Sequence, residues 1–312
     1  MTFLFAATLL VSAFLLFWIQ PLVAKMLLPH LGGTPAVWNT CMLFFQGMLL
    51  VGYAYVLASV RWLTVRRQAL LHLALLLLAA LLLPITVSEN VIGSVPAGGN
   101  PIPWLVGSLM SALAVPFFVV SASAPLLQKW FSESLHPSAG DPYFLYAASN
   151  AGSLLALIAF PTLLEPNLKL YQQSWLWAGV YLGLVILVCA CVIMLWQSIS
   201  TDLERIDPAR QDEQKTSTMA KDQHPQVTLK QRLRWTMLAF VPSSLVLGVT
   251  TFITTDIAAV PLLWVIPLAL YLISFVLVFA VKTESILRRA TNRIMPGSTL
   301  VVTLIVFSGA VE

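Results

Sequence analysis

The chain has 312 residues, of which 59% are hydrophobic and 10% are charged, and its formal net charge is +4. In soluble domains about a quarter of the residues are charged. A chain of this length with so few charged residues could not cover its surface with charge, which excludes a soluble domain. The small positive excess does not indicate nucleic-acid binding, because the basic residues lie between apolar segments. The composition is typical of an integral membrane protein, whose expected partner is the lipid bilayer.

Nine apolar segments follow one another along the chain, most of them close to the roughly 20 residues that a membrane-spanning helix needs. The first segment lacks the basic start of a secretory signal and exceeds its usual apolar length, so we expect a retained helix. The expected fold is all-α, a polytopic transmembrane helical bundle of about nine spans. The predicted spans are residues 4–24, 36–60, 69–87, 104–127, 143–164, 174–197, 235–255, 260–281 and 296–311.

A long polar segment divides these spans into two groups. We assign residues 1–198 to a six-span membrane half, residues 199–234 to a polar cytoplasmic connector, and residues 235–312 to an incomplete, three-span second half. Similar Pro-x-x-Trp steps at residues 35–38 and 261–264 favour two parallel repeats. This arrangement is typical of a major facilitator transporter.

The positions of lysine and arginine predict the orientation, because basic loops stay on the cytoplasmic side. With the N-terminus in the cytoplasm, only Lys25 and Lys169 of the 17 basic residues fall in outer loops. The inverted orientation would place nearly all of the positive charge outside. We therefore expect a cytoplasmic N-terminus.

Polar residues inside the spans are the candidate binding residues, because each costs free energy unless it is paired or faces water. Two charged candidates, Lys25 and Asp256, lie near predicted outer ends of spans. The carboxylate of Asp256 could bind a cationic solute or pair with Lys25. The alternative interpretation is helix packing by small and polar residues, with Lys25, Glu165 and Lys169 as charges at the membrane surface. The uncharged candidates are Asn39, Gln46, Ser121, Ser123, Gln128, Asn150 and Ser153.

No signature of catalysis or of metal binding is found in the sequence. The four histidines are scattered without an HExxH pattern, and GxSxG, P-loop and strand-associated GxGxxG motifs do not occur. The three cysteines lie in apolar segments and have no metal-binding spacing. We expect no catalytic residue, no metal and no cofactor, and this chain by itself is not expected to be an enzyme.

Several motifs resemble the membrane portion of bacterial fused major facilitator/spermidine synthase proteins. They begin with GGTPAVWNT at residues 32–40 and include SAPLLQKWF at 123–131. DPYFLYAASNAGS at 141–153 and the residues from 242 to 264 are also similar. The resemblance implies a location in the bacterial inner membrane and a context of polyamine metabolism.

The same resemblance implies a C-terminal domain like an aminopropyltransferase, and no motif of that domain is found in these residues. We therefore expect that the sequence is a truncated protein, and an aminopropyltransferase would require residues beyond 312. Two functions remain open. The chain could bind or move a small cationic solute such as a polyamine, or it could be a membrane anchor and scaffold for a synthase domain, without transport.

Overall fold

The computed structural model describes residues 1–31, 35–86, 100–134, 136–140, 142–205, 228–252, 265–280, 292–293 and 297. Within these ranges the chain is helical and contains no strand. The fifth helix continues through a π-helical turn, Phe160–Leu164, and a last turn, Glu165–Asn167. The helices are α1 (Thr2–Leu31), α2 (Pro35–Trp62), α3 (Val65–Ala80), α4 (Ile102–Ser132), α5 (Tyr143–Ala159), α6 (Leu170–Arg205), α7 (Leu229–Phe252) and α8 (Val265–Ala280).

Six of these helices are long and apolar enough to cross a membrane: α1, α2, α4, α5 with its extension, α6 and α7. This confirms the all-helical, multi-pass character that the composition predicts. Helices α3 and α8 have 16 residues each, which is fewer than a straight span needs. The predicted span at 296–311 lies outside the described residues, apart from residue 297. The count of about nine spans therefore stays a prediction.

Helix α3 begins and ends earlier than the predicted span 69–87. It starts after Thr64 and includes the charged residues Arg66 and Arg67. Pro84 has no N–H to donate to the carbonyl of Ala80 and restricts the backbone of the preceding residue, so the helix ends at Ala80.

Helix α7 begins inside the predicted polar connector. The backbone N–H of Thr228 donates to Oε1 of Gln231 (2.9 Å), and the N–H of Gln231 donates to Oγ1 of Thr228 (3.3 Å). These reciprocal bonds form a capping box, which satisfies two backbone donors at a helix start. The polar residues up to Arg234 therefore form the first turns of α7.

Helices α1 and α5 run side by side in the same direction. Gly152 of α5 lies against the backbone carbonyl of Leu10 in the first half of α1, so closely that a Cβ at Gly152 would overlap the carbonyl oxygen. Further along both segments, Lys25 of α1 forms an ion pair with Glu165, in the last turn of the extension of α5. The two contacts occur in the same order along both helices, which makes the pair parallel.

Helices α1 and α6 run in opposite directions. The hydroxyl of Thr8 lies 3.3 Å from Sγ of Cys191, and Nε1 of Trp177 donates to the carbonyl of Leu15 (3.1 Å). Two pairs likewise show that α1 and α4 are antiparallel. These pairs are Phe5 with Phe131 and Ser12 with Val120.

The same test applies to the helices that pack on α4. Trp130 and Ser123 contact Gln68 and His72 of α3 in reverse order, so α3 and α4 are antiparallel. Helix α2 is parallel to α4, because Phe45 contacts Phe117 and Gly52 contacts Ser121. Helices α1, α3 and α5 thus run one way, and α2, α4 and α6 run the other way. The directions of these six helices therefore alternate along the chain.

The core of the bundle lies between α1, α3, α4 and α6. Its largest completely buried side chains include Trp18, Trp130, Trp177 and Tyr181. Helix α8 packs against α5, where Leu272 contacts the buried Leu157. Large apolar side chains cover the outside of the bundle. They include Leu43, Leu50 and Leu57 on one side of α2 and many exposed apolar side chains of α7. Such an apolar surface is suited to lipid.

Candidate functional site

His72 of α3 and Ser123 of α4 form a hydrogen-bonded pair in the interior. Both side chains are completely buried, and Nε2 of His72 lies 3.0 Å from Oγ of Ser123. The hydroxyl of Ser123 donates its proton to the carbonyl of Val119 at 2.9 Å. A hydroxyl has a single proton, so Ser123 accepts from His72. On this basis we assign the ring proton to Nε2, which leaves Nδ1 of the neutral ring as an acceptor.

The tyrosine ring of Tyr55, on α2, stacks on this histidine. The two ring centroids are 6.2 Å apart and the ring planes are inclined by 23°. Nδ1 of His72 and the hydroxyl of Tyr55 are both buried, and neither has a hydrogen-bonding partner in the part of the chain that the structure describes. An acceptor and a donor thus lie unpaired on neighbouring rings.

Trp130 and Gln68 complete this cluster, which we name the His72 cluster. Nε1 of Trp130 donates to Oε1 of Gln68 (3.1 Å), and Nε2 of Gln68 donates to the carbonyl of Leu63 (2.8 Å). The indole ring of Trp130 also makes an edge contact with His72, at 6.1 Å between centroids. These contacts fix the position of His72 relative to α4.

A second polar group lies where α1 and α5 end. Lys25 pairs with Glu165, and about 30% of each side chain is exposed. One carboxylate oxygen, Oε2 of Glu165, is buried without a hydrogen-bonding partner among the described residues. The π-helical turn that precedes Glu165 contains Pro161, which has no N–H to continue the α-helical pattern.

Gln173 of α6 adds a second acceptor to the same group, which we name the Lys25–Glu165 site. Its side-chain nitrogen donates to the carbonyl of Leu164 (3.3 Å), the residue before Glu165, and to the carbonyl of Leu168 (3.0 Å). Its oxygen Oε1 is buried, and no described residue donates to it. Two unpaired acceptor oxygens therefore lie beside an ion pair that solvent can reach.

The structure distributes the other sequence candidates over several surfaces. On α2, Asn39 and Gln46 are exposed on the side that carries Leu43 and Leu50. Ser121 and Ser153 are buried, and each hydroxyl donates to a carbonyl of its own helix. The side-chain nitrogen of Asn150 also donates within its helix, to the carbonyl of Tyr146 (2.8 Å), and Gln128 is partly buried. Asp256 lies outside the described residues, so a pairing with Lys25 remains a prediction.

Five of the residues in these two groups were not candidates from the sequence: Tyr55, Gln68, His72, Trp130 and Gln173. His72 carried the clearest signal, because a titratable residue in the middle of an apolar run is costly unless it has a partner. Glu165 was interpreted as a surface charge, and its pairing with Lys25 requires the parallel packing of α1 and α5. Sequence spacing does not contain that information.

Fold and sites together define an α-helical bundle of a multi-pass membrane protein with two polar groups, one buried between helices and one partly exposed at the end of α1. Within the described ranges, no three histidine, cysteine, aspartate or glutamate side chains are placed to hold a metal ion. Comparisons with protein-family models, with curated proteins and with solved structures find no match to this chain.

Proposed function

We propose that this protein binds a small cationic solute at the Lys25–Glu165 site and moves it across the membrane. The observation that carries the proposal is the pair of unpaired acceptors, Oε2 of Glu165 and Oε1 of Gln173. A carboxylate has about four positions that accept hydrogen bonds, and Lys25 pairs with Oε1, while Oε2 has no hydrogen-bonding partner among the described residues. A ligand that satisfies the remaining oxygens has to donate hydrogen bonds.

An ammonium group meets this requirement, because it has positive charge and only donors. An anion would place negative charge beside Glu165 and could donate nothing to Gln173. Polyamines contain several ammonium groups, and the resemblance to fused major facilitator/spermidine synthase proteins favours this class. We therefore propose a polyamine as the solute.

The wider architecture belongs to the same proposal. We place the protein in the bacterial inner membrane with its N-terminus in the cytoplasm and about nine spans, arranged like a major facilitator with an incomplete second half. The direction of α3, opposite to that of α4, supports a crossing at this position. On α2, the exposed face with Asn39 and Gln46 is the surface that we assign to the second half.

Uptake into proteoliposomes tests the proposal. Purified protein is reconstituted, and entry of radiolabelled spermidine and putrescine is compared with protein-free vesicles. We expect Glu165→Gln to lower uptake about tenfold, because one charge-assisted hydrogen bond of about 1.5 kcal/mol is lost. Glu133→Gln is the matched control, since Glu133 also pairs with a lysine, Lys129 at 2.6 Å, at the partly exposed C-terminal end of α4. Absence of polyamine uptake and binding by the unaltered chain would refute the function.

The second candidate is a membrane anchor and scaffold for a synthase domain. The exposed positions of Asn39 and Gln46 favour it, because these side chains do not meet the other candidates inside the described bundle. A scaffold predicts that the unaltered chain moves no polyamine and that Asn39→Leu and Gln46→Leu are tolerated apart from effects on folding. Polyamine uptake by the unaltered chain that is lost in either variant, at normal protein level, would exclude the scaffold.

A further inference from the structure

We propose that the His72 cluster contains a binding site for one water molecule, which donates to Nδ1 of His72 and accepts from the hydroxyl of Tyr55. The site lies between α2, α3 and α4 and is separate from the Lys25–Glu165 site. The proposal does not depend on the transport function.

Hydrogen bonding around Ser123 determines what the site can bind. Because the hydroxyl of Ser123 donates to Val119, His72 is the donor at Nε2, and its lone pair lies at Nδ1. A ligand at Nδ1 therefore has to donate. The hydroxyl of Tyr55, in contrast, requires a partner that accepts.

Water both donates and accepts, and it is the smallest molecule that can do both. Buried polar groups in folded proteins are almost always hydrogen-bonded, and an unexplained pair indicates ordered water. A water that bridges two such groups contributes nearly as much enthalpy as a direct hydrogen bond. A metal ion is disfavoured, since His72 belongs to no group of three histidine, cysteine, aspartate or glutamate side chains in the described part of the chain.

The structure also explains why Nδ1 and Tyr55 do not pair directly. Their rings are nearly parallel, with centroids 6.2 Å apart, and Tyr55 is held by an edge contact with Phe118 at 5.4 Å. The edge of Trp130 fixes His72 from another direction. Neither ring can turn toward the other without losing these contacts.

Solid-state NMR of the full chain in lipid bilayers tests this water. With ¹⁵N-labelled histidine, His72 is assigned by comparison with His72→Gln, and transfer of magnetisation from water protons to each ring nitrogen is measured. We expect a proton on Nε2 and transfer from water to Nδ1. In Tyr55→Phe, transfer to Nδ1 should fall to background while the proton stays on Nε2.

Tyr53→Phe is the matched control, since it removes a hydroxyl from an exposed position of the same helix; we expect it to leave the His72 signals unchanged. A proton on Nδ1 in the unaltered chain, or no transfer from water, would overturn the proposal. Full transfer retained in Tyr55→Phe would overturn it as well. The measurement on the unaltered chain decides the question even if a variant fails to fold.

Discussion

At the scale of single residues, the interior of this bundle depends on polar atoms that are paired across helices. Ser123 is the clearest case, because it satisfies Nε2 of His72 and is itself satisfied by Val119. In Ser123→Ala, the N–H of His72 would be left buried without an acceptor. We expect a loss of about 1–3 kcal/mol in the free energy of unfolding, measured by denaturant titration in detergent.

Ser132→Ala provides the control for this change. Ser132 lies on the same helix, donates to the carbonyl of Lys129 (2.8 Å) as Ser123 does to Val119, and is exposed. Its removal should change the free energy of unfolding by less than about 0.5 kcal/mol. Equal losses in the two variants would contradict the role of Ser123 as the partner of His72.

Gly152 determines how closely α1 and α5 approach. A Cβ at this position would overlap the carbonyl oxygen of Leu10, and a backbone atom of α1 cannot move aside alone. Gly152→Ala should therefore separate the helices and lower the free energy of unfolding by about 1–3 kcal/mol. Gly179→Ala is the control, because no atom lies within 4 Å of its added Cβ, and alanine favours a helix by up to about 1 kcal/mol. If the Gly152→Ala protein were as stable as the unaltered protein, α1 and α5 would have to be farther apart at this position than the structure shows.

At the scale of helices, the sequence predicted which segments are helical better than where they end. Residue 143 was the predicted start of the fifth span and is the first residue of α5. Helix α3 ends earlier than expected. The apolar residues continue past Pro84 and so predicted a span up to residue 87, but a proline cannot donate the next helical hydrogen bond, and the helix ends at Ala80. Helix α7 starts earlier than expected. Its first residues were assigned to the polar connector because of their charge, but the Thr228–Gln231 capping box begins a helix there.

The packing partners could not be predicted in the same way. Helices α1 and α5 are separated by more than a hundred residues, and their parallel contact depends on two sites, Gly152 and Glu165. A sequence pattern identifies a small residue and a charge at these positions, but it does not select their partners. For the same reason the role of His72 became visible only with Tyr55 and Ser123 beside it.

Cross-linking tests the parallel packing of α1 and α5. In a chain whose three cysteines are replaced by alanine, a flexible bis-methanethiosulfonate reagent should join Lys25→Cys to Glu165→Cys, seen as a mobility shift that a reductant reverses. A reagent with a spacer is used because a direct disulfide needs closer Cα atoms than an ion pair between two long side chains guarantees. Lys25→Cys combined with Tyr143→Cys is the control, because a rise of 1.5 Å per residue places Tyr143 about 33 Å from Glu165 along α5. Failure of the first pair to cross-link would contradict the parallel arrangement.

At the scale of the whole molecule, the alternation of helix directions places the loops at two opposite ends. The connection from α2 to α3 contains Thr64 and is followed by Arg66 and Arg67. It lies at the end where α1 starts. The connection from α5 to α6 contains Lys169 and lies at the end where α1 finishes, near Lys25. The predicted orientation in the membrane can therefore be tested at two exposed residues of the described chain, Arg66 and Lys169.

Labelling with an impermeant thiol reagent distinguishes the two orientations. In the cysteine-free chain, Lys169→Cys should react from outside intact cells, whereas Arg66→Cys should react only after the membrane is permeabilised. The physical reason is the retention of basic loops in the cytoplasm, which concentrates Arg61, Arg66 and Arg67 on one side. Both residues are exposed in the structure, so burial within the protein cannot account for a difference. If only Arg66→Cys reacted from outside, the protein would have the opposite orientation, and the Lys25–Glu165 site would lie on the cytoplasmic side.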